Sequence, residues 1–186
     1  MERQYTSIEL CAGAGGQALG LHLAGFRHKA LIEIEKPACK TLIYNNDVHS
    51  LGWEKVIEGC VEYFAEHEAH NYKGVDLVAG GVPCPPFSKA GKQLGKNDER
   101  DLFPAAIKTV ARTLPKAVML ENVSGLLEPK FDSYRKEIDS SLNELGYKTF
   151  WKLLNASDFG VPQLRPRVVL VALKSEYTKY FSWPEY

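Results

Sequence analysis

Cys84 is the residue of this sequence best suited to act as a nucleophile. It lies in Gly80-Gly81-Val82-Pro83-Cys84-Pro85-Pro86-Phe87-Ser88, directly after an apolar run at 75–79. Prolines 83, 85 and 86 fix φ and remove three N–H donors, so the segment is stiff and cannot join a sheet. The thiol is therefore expected to be presented rather than packed. A thiol attacks as thiolate and, with an ordinary pKa of about 8.5, needs a cationic neighbour or a base. Taken alone, the segment also reads as a buried cysteine in a proline-rich turn. Glu121 directly follows a second apolar run, 117–120, in Glu121-Asn122-Val123. A carboxyl just past a hydrophobic strand is partly desolvated, which raises its pKa and lets it donate a proton near neutrality. A capping arrangement ahead of Ser124-Gly125 is the plainer alternative. Arg165 and Arg167, in Gln163-Leu164-Arg165-Pro166-Arg167, fall on one side of an extended segment. Two guanidiniums there suit an anionic backbone, a developing oxyanion or a carboxylate, or are simply solvated.

A glycine-rich turn supplies a second kind of chemistry. Glu9-Leu10-Cys11-Ala12-Gly13-Ala14-Gly15-Gly16-Gln17-Ala18 leaves one apolar strand and opens a helix. Glycines in such a turn allow close approach of a ligand to the backbone. Glu33 and Glu35 follow at the end of the next strand, where a carboxylate can accept hydrogen bonds from both hydroxyls of a ribose. Gly13-x-Gly15-x-x-Ala18 matches a loose dinucleotide fingerprint, so a nicotinamide enzyme is one reading. S-adenosylmethionine is the other. Glu9 would repel a pyrophosphate but could hold an amino group. A tight turn with no ligand is the third reading.

The elements that must position these residues alternate between strand and helix. Strands are read at 5–11, 28–34, 56–59, 75–79 and 117–120. Helices are read at 17–24, 37–44, 101–114 and 131–145. The 101–114 helix carries Leu102, Ala105, Ala106, Val110 and Leu114 on one face. Two last strands, 148–154 and 167–173, are separated only by a loop and should pair antiparallel. Strand–helix alternation with continuously apolar strands implies an α/β fold, a doubly wound, mostly parallel sheet covered on both faces. Ligands of such sheets sit beyond the carboxyl ends of the strands, where every motif above should fall on a loop. A length of 186 residues fits one domain.

Composition narrows the function classes. Twenty-three Lys+Arg balance 23 Asp+Glu, which argues against a nucleic-acid binder held by a broadly basic surface. No run of 18 apolar residues spans a membrane, and Met1-Glu2-Arg3-Gln4-Tyr5 begins no secretion signal. Cys11, Cys39, Cys60 and Cys84 form neither a CxxC nor a zinc pattern, so no metal is expected and a reduced, cytoplasmic setting fits.

In their order along the chain, these motifs resemble the C5-cytosine DNA methyltransferase family. The resemblance covers nearly all of the sequence. Glu9–Gly16 is similar to the family's donor-binding turn, with Cys11 where Phe is usual. Pro83-Cys84-Pro85-Pro86-Phe87-Ser88 is similar to its Pro-Cys-Gln-x-Phe-Ser segment, with Pro85 in place of Gln. Glu121-Asn122-Val123 and Gln163-x-Arg165-x-Arg167 match two further motifs. The resemblance implies a Rossmann-like class I methyltransferase core with an antiparallel last strand. It implies S-adenosyl-L-methionine as donor and a cytosine flipped out of double-stranded DNA as acceptor.

The same resemblance implies roles. Cys84 would attack C6, Glu121 would protonate or hydrogen-bond N3, and Arg167 would contact O2. Arg165 would contact a phosphate or the cysteine loop. Glu9, Cys11, Ala12, Gly13, Gly15 and Gly16 would line the donor, Glu33 would hold its ribose, and Ile34 would cover its adenine. Gly81, Pro83 and Leu102 would pack against it. Cys60 stands where the family usually has an Asp that contacts the adenine amino group, so that contact is expected to be missing. Ser88, Lys89 and Gln163 would touch the substrate. The segment 89–100 is expected to close as a basic lid, with Lys92, Lys96 and Arg100 and with Gly91 and Gly95 as hinges.

The family also carries a target-recognition domain and a final motif, and neither is found in these residues. A second polypeptide carrying recognition is therefore an expected partner. A truncated gene, a partial sequence or a donor-binding remnant are the competing expectations. A bacterial or phage modification system, nucleoid-associated, is the expected context.

Overall fold

The computed structural model describes residues 4–84 and 101–185. Its elements are β1 (Tyr5–Leu10), α1 (Gly16–Leu23), β2 (Phe26–Glu33), α2 (Lys36–His49), β3 (Val56–Glu58) and α3 (Val61–His67). There follow β4 (Leu77–Gly80), α4 (Phe103–Thr113), β5 (Ala117–Val123), α5 (Asp132–Glu144), β6 (Tyr147–Asn155) and β7 (Pro166–Lys174). The seven strands form one sheet in the order β3-β2-β1-β4-β5-β7-β6. β1 to β5 pair in parallel, and β7 runs antiparallel between β5 and β6.

Alternation along each strand sends side chains to two helical layers. Ile8, Leu10, Ile32, Val78, Val118 and Leu120 pack with Phe64 of α3, Phe103 and Val110 of α4, and Leu142 of α5. On the other face, Leu31 packs with Ala18 of α1, Leu42 of α2 and Trp53, while Leu77 and Ala79 meet Leu21 of α1. The sheet is thus doubly wound, as the alternation of elements requires. The α1 layer is pinned by His28, whose ring is within hydrogen-bond distance of Ser7 Oγ (3.1 Å) and the Ala18 carbonyl (2.8 Å). Burial lowers the pKa of that imidazole, so it sits neutral against the Trp53 edge.

Two sequence expectations need correction. Glu121, Asn122 and Val123 do not lie on a loop but inside β5, opposite Val169, Val168 and Arg167. The antiparallel partner β7 extends β5 beyond its apolar run, which a reading of the run alone cannot anticipate. Glu9 and Glu33, by contrast, sit within β1 and β2 as the strands read at 5–11 and 28–34 place them. Leu114 is not part of the buried face of α4. It is 43% exposed, with φ +51, and closes the helix. Pro115 disfavours helical geometry in the residue before it, so the helix ends at Thr113. Thr109 and Thr113 complete the buried face instead, their hydroxyls donating to the carbonyls of Ala105 and Thr109.

The strand ends are held closely together. A Cβ placed on Gly80 would lie 2.6 Å from the Leu10 carbonyl oxygen, so only glycine lets β4 approach β1 there. Gly15 opens α1 with φ +96, and a Cβ there would meet Leu42 at 2.8 Å. Cys11 adopts φ +54, a left-handed conformation rare outside glycine, at the point where the chain turns over the sheet edge.

Candidate active site

The carboxyl ends of β1, β2, β3 and β4 surround a cavity of about 710 Å³. Its lining includes Cys11 after β1, Glu33 and Ile34 at β2, Cys60 after β3, and Pro83 and Cys84 after β4. Leu102, just before α4, closes one side, and its amide donates to the Pro83 carbonyl at 3.2 Å. Seven of the residues expected to bind donor or base thus share one space through topology alone.

Glu33 is fixed within it. Its Oε2 accepts from the Gly13 amide at 2.7 Å and its Oε1 from the Glu35 amide at 2.8 Å. Only 6% of the residue is exposed. Each oxygen keeps a lone pair, so the carboxylate can still accept from a vicinal diol. Ile34, by contrast, is 63% exposed and offers an apolar plate at the cavity rim. Cys11 carries a thiol pushed up to about 12, by burial above all and then by the charges of Glu33, Glu62 and Glu9. It is a packing group rather than a nucleophile.

The glycine-rich turn is less directly engaged than the sequence suggested. Gly13 acts through its amide on Glu33, while Ala12 is buried and its amide donates to the Ile32 carbonyl. Gly15 and Gly16 line a separate cavity of about 420 Å³ with Trp53. Glu9 is 1% exposed and accepts from the Ala18 amide. Among the described residues its Oε2 has no hydrogen-bond partner. Burial pushes this carboxyl up to about 8.

Cys84 is half-buried and packs against the main core, so it is less openly presented than the prolines suggest. Its thiol donates to Asn122 Oδ1 at 3.0 Å, and Asn122 Nδ2 donates to the Val82 carbonyl at 2.8 Å. Asn122 thereby ties the cysteine loop to β5. The sequence marked this residue only as the middle of a motif. A buried Asn beside a candidate carboxylate was the available signal. Burial, aided by the Asp101 charge, raises the Cys84 pKa, so the resting thiol is protonated.

Glu121 and Arg167 are diagonal neighbours on β5 and β7. Arg167 Nε meets Glu121 Oε1 at 2.7 Å, with side chains 26% and 32% exposed. The other carboxylate oxygen lies 3.5 Å from the point where a Cβ on Gly81 would stand. Glu121 therefore overhangs the backbone leading to Cys84. The expected desolvated carboxyl is an ion-paired one, open to solvent over a third of its surface. Arg165 and Gln163 are exposed, and Arg165 contributes its amide to Asn155 Oδ1 at 2.9 Å. The two arginines are thus treated differently: one is paired in the sheet, the other faces outward. Ser88, Lys89 and the expected basic lid lie outside the described residues.

Comparison with known sequences decides the family. The model of the C-5 cytosine-specific DNA methylases matches residues 5–185. The chain belongs to the C-5 cytosine-specific DNA methylase family. It is similar to the type II methyltransferase M.NgoMIV of Neisseria gonorrhoeae, 63% identical over 182 residues, 98% of this chain and 56% of that protein. It is also similar to the type II methyltransferase M.NaeI of Lentzea aerocolonigenes, 52% identical over 178 residues, 96% of this chain and 42% of the relative. The chain thus spans about half the length of the curated relatives it matches. Among solved structures, the Dnmt2 of Spodoptera frugiperda superposes with a TM-score of 0.70 at 23% identity, covering 98% of this chain and 54% of that one. That likeness concerns the fold. S-adenosyl-L-methionine is the donor of C-5 cytosine methylases, which removes the nicotinamide reading of the glycine turn.

Proposed function

We propose that this chain carries the methyl-transfer centre of a DNA cytosine-5 methyltransferase. Cys84 lining the cavity, with the Glu121–Arg167 pair standing over the Gly81 backbone that leads to it, carries the reading. The residues present fit the donor: a pre-oriented Glu33 for the ribose, an apolar rim at Ile34, and a cavity that runs to the cysteine loop. Glu9, buried with an unpartnered oxygen among the described residues, is a carboxyl that an ammonium group brought to it would draw into its charged form. Pro83 and Leu102 close the donor's side, and Cys11 and Cys60 pack against it. The bound donor supplies a methyl group activated by its sulfonium.

The chain's own residues prepare the acceptor. A cytosine swung out of the duplex reaches Cys84, at an unstacking cost of a few kcal/mol. The Cys84 thiol gives its proton to water, Sγ bonds to C6, and the electron pair displaced from the C5–C6 double bond makes C5 nucleophilic. Glu121 holds N3, by proton or hydrogen bond, so charge does not accumulate on the ring. Arg167 orients Glu121 and contacts O2. Once C5 carries the methyl group, transfer of the C5 proton to water restores the C5–C6 double bond and expels Sγ as thiolate. Arg165, Gln163, Ser88 and Lys89 are proposed contacts to the nucleic-acid backbone and base. Among the described residues no helix is long and apolar enough to cross a membrane, and a cytoplasmic role in a bacterial modification system is proposed with the rest.

Incubation with radiolabelled S-adenosylmethionine and DNA containing 5-fluorocytosine tests this, because fluorine at C5 blocks the final elimination. A labelled protein–DNA adduct that disappears with Cys84→Ala supports the reading. Donor binding without adduct would assign DNA engagement to a second polypeptide. Absence of both would refute the proposed centre.

A further inference from the structure

The cavity has a second carboxylate whose oxygens are not committed. Glu33 and Glu62 are the two side chains in its described lining that carry oxygen acceptors. Both Glu33 oxygens already take a backbone amide. Glu62 stands in the first turn of α3, two residues past Cys60, and faces solvent at the rim. Among the described residues it forms no ion pair. It lines the same cavity as the Cys11 thiol, whose pKa its charge helps to raise.

The order of the strands says which part of a bound donor Glu62 would meet. Cys84 follows β4, Glu33 ends β2, and Cys60 and Glu62 follow β3, at the edge of the sheet. A donor must place its sulfonium beside Cys84 and its ribose on Glu33. Its purine then extends toward the β3–α3 connection. The exocyclic amino group of adenine offers N–H donors there and needs an acceptor. The Cys60 thiol is a weak one.

We infer that Glu62 reads the 6-amino group of the donor's purine, and so sets selectivity for adenosyl over 6-oxopurine ligands. The inference rests on the donor reading above and adds a residue to it. A 6-oxo group turns its lone pairs toward the same carboxylate, so the wrong ligand meets repulsion as well as a lost bond.

Calorimetric binding of S-adenosylhomocysteine and S-inosylhomocysteine to the full chain tests it. Both are stable and uncharged at sulfur, and they differ in the purine 6 substituent and in N1, which accepts in adenine and carries a proton in hypoxanthine. The native chain should favour the adenosyl ligand about ten-fold, the scale of one hydrogen bond to a charged group at a half-open site. Glu62→Ala should weaken adenosyl binding by a similar factor and leave inosyl binding equal or better, erasing the preference. Glu62→Gln, whose amide can donate as well as accept, should bring the two ligands to near equality while retaining the side-chain volume. If both variants keep the native preference, the inference is wrong and the donor reading stands. If the native chain binds neither ligand, the donor reading fails and the inference with it.

Discussion

Replacing Glu9 with Gln should make the stability of this protein depend less on pH. The carboxyl is 1% exposed, accepts one hydrogen bond from the Ala18 amide, and leaves Oε2 without a partner among the described residues. Burial therefore favours its neutral form, and the group titrates at about 8 in the fold against an ordinary 4.5. Below the lower value both folded and unfolded chains hold the proton, and the group contributes no pH dependence. Between the two values the unfolded chain releases the proton and the folded chain retains it, so stability falls as pH rises. Each pH unit in that window removes about 1.4 kcal/mol, for a ceiling of about 5 kcal/mol by pH 8. Glutamine is nearly isosteric and does not titrate. Urea unfolding at intervals from pH 4.5 to 9 should therefore show native and Glu9→Gln stabilities that start close and diverge, the variant becoming more stable by several kcal/mol above pH 8. The difference between the curves cancels every other titrating group. Parallel curves across this range would show that Glu9 is not held neutral by burial, and would refute the reasoning. Donor binding should restore the carboxylate by bringing an ammonium to it, so the native chain should take up fewer protons when loaded.

Asn122→Ala removes the amide that receives the Cys84 thiol and holds the Val82 carbonyl. A loss of about 2–3 kcal/mol in urea unfolding is expected. Adduct formation with 5-fluorocytosine DNA should fall at least ten-fold while donor affinity changes little. Equal losses in both would show a general loosening instead. Gly80→Ala sets a methyl 2.6 Å from the Leu10 carbonyl oxygen, backbone against which nothing can swing away. Separating β4 from β1 should cost about 1–3 kcal/mol and weaken donor binding, since Cys11 and the Cys84 loop leave from those strands. An unchanged melting temperature would contradict the close approach.

Much of the candidate site was legible in the residues because its parts are local. A turn with glycines, a carboxylate at a strand end and a proline-bounded cysteine each carry their signal in a few adjacent positions. What escaped depends on partners distant in the chain. Asn122 gains its role from Val82 and Cys84, 40 and 38 residues away. Glu121 seemed a desolvated acid until Arg167, across β7, became its neighbour. Glu62 is an ordinary helix residue until the cavity brings it to the same space as Cys60, Cys11 and Glu33.

The sequence by itself determined the alternation of strand and helix, the doubly wound sheet, the antiparallel closing pair and the order of the motifs. These follow from hydrophobic periodicity and turn chemistry, which act over a few residues. Only the tertiary structure decided that β7 lengthens β5 through Glu121 and Asn122, and that Gly15 and Gly16 border a different cavity from Glu33. It alone decided that Arg165 faces outward while Arg167 is paired, and that burial protonates Glu9 and the Cys84 thiol. Desolvation and pairing depend on what packs against a group from elsewhere in the chain, and the sheet order sets those neighbours.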